Sequence, residues 1–179
     1  AKFQSFAKPD ATDDQKLAML VKAAVELTTQ EAPRWEIIAA RLLMVQFDRA
    51  LAERLAARRI GTFSQKVAFL AEEGLYGDYI LQRYTPAELD EAAGFIDLGR
   101  NDLFTYAGLQ LLLDRYVIRT HQGAPLESPQ EMFLGIALHL AMEERADERM
   151  GWVRRFYDML STLKVTMATP TLSNARKPF

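Results

Sequence analysis

Four tetrapeptides in this chain carry the signature of a helix start. Thr12–Gln15, Thr62–Gln65, Thr85–Glu88 and Ser128–Glu131 each place a hydroxyl three residues before a Glu or Gln. At that spacing the hydroxyl accepts the N–H of the third residue while the longer side chain reaches back to the N–H of the first. Two donors that a helix start leaves orphaned are thereby satisfied together. Pro86 and Pro129 follow two of these hydroxyls, at the first helical position, where a missing N–H costs nothing. Each box also leads into an apolar-periodic stretch. Behind Thr12, for example, Leu17, Leu20, Val21, Ala24 and Val25 fall on one helix face. A chain punctuated in this way builds itself from a series of capped helices.

The remaining segments fit the same reading. Pro33 opens a longer helix running through Ala57, with Trp35, Ile38, Ala39, Leu42 and Leu43 on its apolar face. Val67, Phe69 and Leu70 lead to Gly74, placed as the residue just past a helix end. The stretch G-L-Y-G-D-Y-I-L-Q-R-Y reads as a packed aromatic turn with about one helical turn. Pro86 to Phe95, Leu103 to Arg115 and Asp147 to Leu160 complete the helices. Two places break the rhythm. Tyr116-Val117-Ile118, His121-Gln122-Gly123 and Pro125-Leu126 predict a short β-hairpin. Lys164 to Ala168 alternates as a single strand with no partner in the chain, and its N–H and C=O groups would need a sheet from elsewhere. The fold class predicted is mainly α: a capped-helix domain over residues 1–160, interrupted by the hairpin, and a terminal strand and loop over 161–179.

Composition narrows the function. Twenty-two Lys and Arg against 24 Asp and Glu give a net charge of −2, without the basic excess that a nucleic-acid-coating domain carries. The chain has no cysteine, so it supplies no disulfide, thiolate metal site or thiol chemistry of its own. No apolar run approaches the ~18 residues of a membrane span, and A-K-F-Q-S-F-A-K-P-D lacks the apolar core of a secretory signal. A cytoplasmic protein is the expectation. The chain begins at Ala1, which points to a removed initiator or to a piece of something longer.

Catalytic constellations are not apparent. His139 and Glu143 stand at i and i+4, compatible with a metal, but neither His139 nor His121 has an acid three residues before it, as a di-iron helix bundle requires. Both histidines are read as structural or surface residues. The run from Glu143 to Arg149 reads as a solvated helix junction. Arg58-Arg59 and Arg154-Arg155 are basic pairs without aromatic interleaving in the sequence. Phosphate-cradling glycine loops and the nucleophile elbow are absent.

Two stretches resemble the large catalytic subunit of class I ribonucleotide reductase. The first is Phe95-Ile96-Asp97, then Asn101-Asp102-Leu103-Phe104-Thr105-Tyr106-Ala107-Gly108-Leu109 and Asp114-Arg115-Tyr116. The second is Arg155-Phe156-Tyr157-Asp158, Leu160-Ser161-Thr162 and Ala168-Thr169-Pro170-Thr171-Leu172-Ser173-Asn174-Ala175. S-P-Q-E-M-F, Val21-Lys22-Ala23-Ala24 and Ala39-Ala40-Arg41-Leu42 extend the likeness over nearly the whole chain. The resemblance implies reduction of ribonucleoside diphosphates to 2′-deoxyribonucleotides. It further implies a helical domain leading into a ten-stranded α/β barrel, whose first strand would be Lys164 to Ala168.

In that family a cysteine thiyl radical, generated from a metal-bearing small subunit, abstracts the ribose 3′ hydrogen, and two further cysteines supply electrons, restored by thioredoxin or glutaredoxin. The cysteines, the effector site and the radical-transfer tyrosines would lie after Phe179, and the regulatory nucleotide-binding cone before Ala1. The chain itself would hold no cofactor, no metal and no catalytic residue, and would neither bind nucleic acid directly nor enter a membrane. One residue carries over: Thr169, whose hydroxyl and backbone would help hold the substrate diphosphate, with Pro170 stiffening the chain behind it. Ser173 and Asn174 follow as weaker candidates. The common Asn-Ala-Gly-Thr is here Asn174-Ala175-Arg176-Lys177, which removes a glycine-permitted turn. The six tyrosines read as packing residues. A cobalamin-dependent reductase of the same superfamily and a non-enzymatic helical interaction module are the alternatives.

Overall fold

The computed structural model describes residues 10–178. The reading of Ala1 to Pro9 as lacking a signal core lies outside the described residues, as does Phe179. Nine α-helices are described: α1 Asp13–Leu27, α2 Arg34–Ala57, α3 Phe63–Glu72, α4 Tyr79–Arg83, α5 Pro86–Ala93, α6 Tyr106–Arg115, α7 Pro129–Ala141, α8 Arg149–Ser161 and α9 Thr169–Asn174. A 3₁₀ helix, Leu98–Leu103, precedes α6.

All four capping boxes form with both reciprocal bonds, at Thr12, Thr62, Thr85 and Ser128. In the last, Ser128 Oγ accepts from Glu131 N at 3.3 Å and Ser128 N donates to Glu131 Oε2 at 2.8 Å. A fifth hydroxyl, Thr105, caps α6 by accepting from Gly108 N at 3.2 Å. No box announces it, because the third helical residue is a glycine with nothing to reach back.

Three helices end in the same way, and only one of the ends contains glycine. After α3, Gly74 takes φ +67°, with Leu75 N–H donating to Leu70 O and Gly74 N–H to Ala71 O. This paired pattern satisfies two terminal carbonyls. Arg59 (φ 58°) repeats it after α2 and Leu163 (φ 57°) after α8. Left-handed backbone costs an L-residue about 1–2 kcal/mol, and glycine's extra freedom in the unfolded chain returns part of that. Leu163→Gly is therefore expected to raise stability by about 0.5–1 kcal/mol. A higher midpoint in urea unfolding checks it, and an unchanged or lower midpoint would refute the strain.

The centre of the molecule is α7. Ten of its thirteen residues are buried, so it is enclosed by neighbours on nearly every side, and its few polar residues, Gln130, Glu131 and His139, are bonded to them. It packs along α8 and also meets α5 and the 3₁₀ helix, while α1 lies along α2 and α2 reaches α6. Tyr76, Ile80 and Tyr84 from the aromatic turn around α4 join the same core. On α2 the buried face is Ala39, Ala40, Met44, Phe47 and Leu51, so Ile38, assigned to the core from its spacing, stays exposed.

Among the described residues no strand forms. The expected hairpin is reduced to one antiparallel bridge between Arg119 and Pro125. Thr120 N–H donates to Ala124 O and Leu126 N–H to Ile118 O, both at 2.8 Å, around a turn with Gly123 at φ +85°. The ladder stops because Pro125 has no N–H and because Ile118 N–H is diverted to Glu127 Oε1 at 2.8 Å. Lys164 to Ala168 likewise pairs with nothing described. Val165, Thr166 and Met167 run one after another along an apolar cleft walled by α6, α8 and α9, with no neighbouring strand among the described residues to complete a ladder. No helix among the described residues is long and apolar enough to cross a membrane.

Candidate functional site

The segment from Leu163 to Pro178 carries Thr169, and the core grips it from several sides. Thr169 is the first residue of α9 and is exposed, its Oγ1 3.2 Å from the Tyr116 hydroxyl. Past the helix, Ala175 O accepts from Tyr79 Oη at 2.7 Å, and Gly77 N–H donates to Arg176 O at 2.8 Å. Arg176 then enters the interior with no exposed surface. Its Nε donates to both Glu127 carboxylate oxygens, at 3.0 and 3.1 Å, and a terminal nitrogen also meets Oε1. Two more of its N–H groups go to Leu172 O at 2.8 Å and Tyr116 O at 2.7 Å.

Glu127 is equally buried, at 1% exposure. Burial works against the Arg176 charge, yet the carboxylate beside it more than offsets this and holds the guanidinium pKa above its ordinary value. Two buried charges are tolerable only when paired and fully hydrogen-bonded. Here both conditions are met, so Arg176 occupies the place of the missing glycine as an anchor for the loop.

Beside this anchor lies an apolar cleft of about 430 Å³. Phe104, Tyr116, Phe133, Leu160, Met167 and Leu172 are among its walls, and Thr169 lies at its edge as an exposed hydroxyl. Leu103, Leu111, Leu163 and Val165 also line it and are exposed. Ser173 and Asn174 close α9, the first half-buried and the second exposed.

The other candidates resolve into packing. His139 Nδ1 is 2.9 Å from the Tyr79 hydroxyl, and the two rings meet edge to face. Because Tyr79 donates to Ala175 O, that imidazole nitrogen carries the proton. Burial lowers the His139 pKa and pushes the Tyr79 pKa up to about 12. Glu143 instead pairs with Arg83 at 3.0 Å. His121 is exposed on the turn beside Gly123. Among the described residues no group of three His, Cys, Asp or Glu is placed to hold a metal.

The basic pairs, unremarkable in sequence, lie over the chain's own rings: Arg58 over Phe69, Arg154 over Phe95 and Arg155 over Trp152. Arg149, in the junction read as solvated, donates to Glu144 O and Arg83 O and covers Tyr84. The tyrosines do serve packing. Tyr84 Oη donates to Leu138 O and Tyr157 Oη to Gln130 Oε1.

Comparison with known proteins supplies the family. The model of the ribonucleotide reductase all-alpha domain matches residues 102–179. The ribonucleoside-diphosphate reductase subunit alpha of Treponema pallidum is 57% identical over 179 residues, all of this chain and 21% of that protein. The chain belongs to the large-subunit family of class I ribonucleotide reductases. The Synechocystis subunit alpha is 33% identical over 159 residues, and the Escherichia coli reductase 1 subunit alpha 30% identical over 165; each alignment covers 89% of this chain. The chain spans about a fifth of the length of the curated relatives it matches, from 20% to 21%. Membership replaces the reading as a non-enzymatic helical module and favours class I over the cobalamin-dependent alternative.

Nothing in the sequence marks Tyr116, Glu127 or Arg176 as partners in one site. Arg176 was noticed only as a departure from Asn-Ala-Gly-Thr, and no spacing rule joins it to a glutamate 49 residues earlier.

Proposed function

We propose that this chain is part of an enzyme that reduces ribonucleoside diphosphates to 2′-deoxyribonucleotides for DNA synthesis. The observation that carries this reading is the alignment of the whole chain, at 57% identity, with a protein named for that activity. Residues 1–160 are the helical domain, and 161–179 lead into the catalytic barrel. Val165, Thr166 and Met167 make no backbone hydrogen bond among the described residues, which supports a role for that segment as a barrel strand completed by the rest of the subunit. The cysteines that carry the radical and the reducing electrons lie on that remainder, since residues 1–179 contain none. A metal-bearing small subunit supplies the radical, and thioredoxin or glutaredoxin the electrons. The chain itself holds no cofactor. Effector nucleotides regulate the whole enzyme, and it works in the cytoplasm.

The share of this chain in the chemistry is to hold the substrate. Thr169 presents its hydroxyl at the edge of the cleft, and that hydroxyl donates a hydrogen bond to a diphosphate oxygen. Pro170 behind it fixes the local φ. A hydrogen bond to a charged group contributes about 1.5–3 kcal/mol.

In the full-length subunit, assayed with its small subunit and reductant, Thr169→Val is expected to raise KM for the nucleoside diphosphate about tenfold or more. Thr169→Ser is expected to stay near the parent value and kcat to move little in either variant. An unchanged KM in Thr169→Val would remove Thr169 from the site.

A further inference from the structure

We propose that Tyr116 is the positioning residue for Thr169, turning the threonine hydroxyl outward so that its single proton faces the substrate phosphate. The inference rests on the reading of Thr169 given above.

Three observations support it. The Tyr116 hydroxyl and Thr169 Oγ1 are 3.2 Å apart, so one of them donates to the other. A threonine hydroxyl has one proton and can accept from a second group. If that proton is to reach a phosphate oxygen, the bond between the two must run from tyrosine to threonine. A phenol is the more acidic hydroxyl and the better donor, so the chain Tyr–OH to Thr–OH to phosphate runs in its favourable direction. Hydrogen bonds aligned in this sense also polarise one another.

The second observation is that the Tyr116 backbone is fixed from both sides. Its N–H donates to Leu112 O at 3.0 Å, closing α6, and its carbonyl accepts from the buried Arg176 at 2.7 Å. The residue is 7% exposed, so its ring has little room to swing away from the cleft wall.

The third is that the same guanidinium holds the far end of α9 through Leu172 O at 2.8 Å. Tyr116 and Thr169 are thus held to one buried group, one through its backbone and the other through its helix. Their separation is set by the core and not by the exposed loop.

The test uses the full-length subunit with its small subunit and reductant. Tyr116→Phe keeps the ring and removes only the donor. It is expected to raise KM for the nucleoside diphosphate three- to tenfold with kcat changed less than twofold. Equilibrium binding of the diphosphate to the folded variant should weaken by the same factor. The double variant Tyr116→Phe/Thr169→Val is expected to match Thr169→Val alone, because without the threonine hydroxyl the tyrosine has nothing to orient. Tyr84→Phe removes a comparable buried hydroxyl bond, to Leu138 O, and serves as the control. It should lower the melting temperature and leave KM unchanged.

If Thr169→Val weakens binding but Tyr116→Phe does not, or the two losses multiply, the positioning role is wrong and the Thr169 assignment stands. If Tyr84→Phe raises KM as much as Tyr116→Phe, the effect is general loosening and the proposal also fails. If Thr169→Val itself is silent, the underlying reading falls and the inference with it.

Discussion

Arg176→Ala is expected to lower the stability of the chain by about 3–5 kcal/mol, because it strands the Glu127 carboxylate in the interior without a counter-charge. Few single changes in this molecule should cost more. The side chain removed is fully buried, and it satisfies Glu127, Leu172 O and Tyr116 O at once. Glu127→Ala is expected to cost a similar amount, and it also deprives Ile118 N–H of its acceptor.

The decisive comparison is the pair removed together. Arg176→Met with Glu127→Leu leaves no uncompensated charge, and apolar replacements of buried ion pairs are often neutral. Urea unfolding of the three variants should therefore place the double substitution well above either single one. If the double substitution is no more stable than either single one, the charges are not acting as a pair and the account of the anchor is wrong.

Gly135→Ala is the second large effect, and its sign is the informative part. In the middle of a helix, alanine is favoured over glycine by about 1 kcal/mol, so an unpacked site would gain stability. Here a Cβ at position 135 would lie 2.1 Å from Tyr76 Oη and 2.7 Å from Arg176 Cδ. Neither neighbour is a loose surface group, since both are buried. Overpacking of this kind costs about 1–3 kcal/mol. With contacts this short the upper end applies, and a net loss of about 2 kcal/mol is expected after the propensity gain.

Tyr76→Phe separates the causes. The Tyr76 hydroxyl is buried and makes no hydrogen bond among the described residues. Removing it alone should be neutral or slightly stabilising, and in the Gly135→Ala background it should restore part of the loss. Thermal melts of the two single variants and the double variant check this. A Gly135→Ala protein that melts higher than the parent would contradict the packing.

The helix starts could be read from the sequence because a capping box is a local device. Its hydroxyl and its Glu or Gln sit three residues apart and need nothing else. Helix ends were harder. Gly74 announced itself, but Arg59 and Leu163 adopt the same left-handed turn without a glycine, so neither end carries a compositional mark.

Neither strand segment forms a ladder among the described residues, for a related reason. Lys164 to Ala168 alternates in sequence, yet Val165, Thr166 and Met167 all line the cleft, and alternation alone does not say whether a neighbour completes a ladder. Where the hairpin is expected the chain does turn, at Gly123, but Glu127 takes the N–H that would extend the pairing. That competition involves a side chain beyond the turn and lies outside what period-two patterning registers.

The site shows the same division. Thr169 came from family resemblance. Tyr116 and Glu127 lie 53 and 49 residues from their partners in the terminal segment, and no motif joins either of them to that segment. Long-range polar pairs of this kind follow from the packed core, which a one-dimensional pattern does not contain.

The anchoring of α9 by an internal guanidinium has a consequence for how such a protein can vary. Gly135 leaves just enough room for the Tyr76 hydroxyl and for the stem of the arginine that holds α9. A change in interior volume there is passed along that stem to the loop bearing Thr169. On the proposed role of Thr169, drift at apolar positions far from any ligand would be read out as altered nucleotide affinity, and the tolerance of this interior to mutation would then be set by binding as well as by folding.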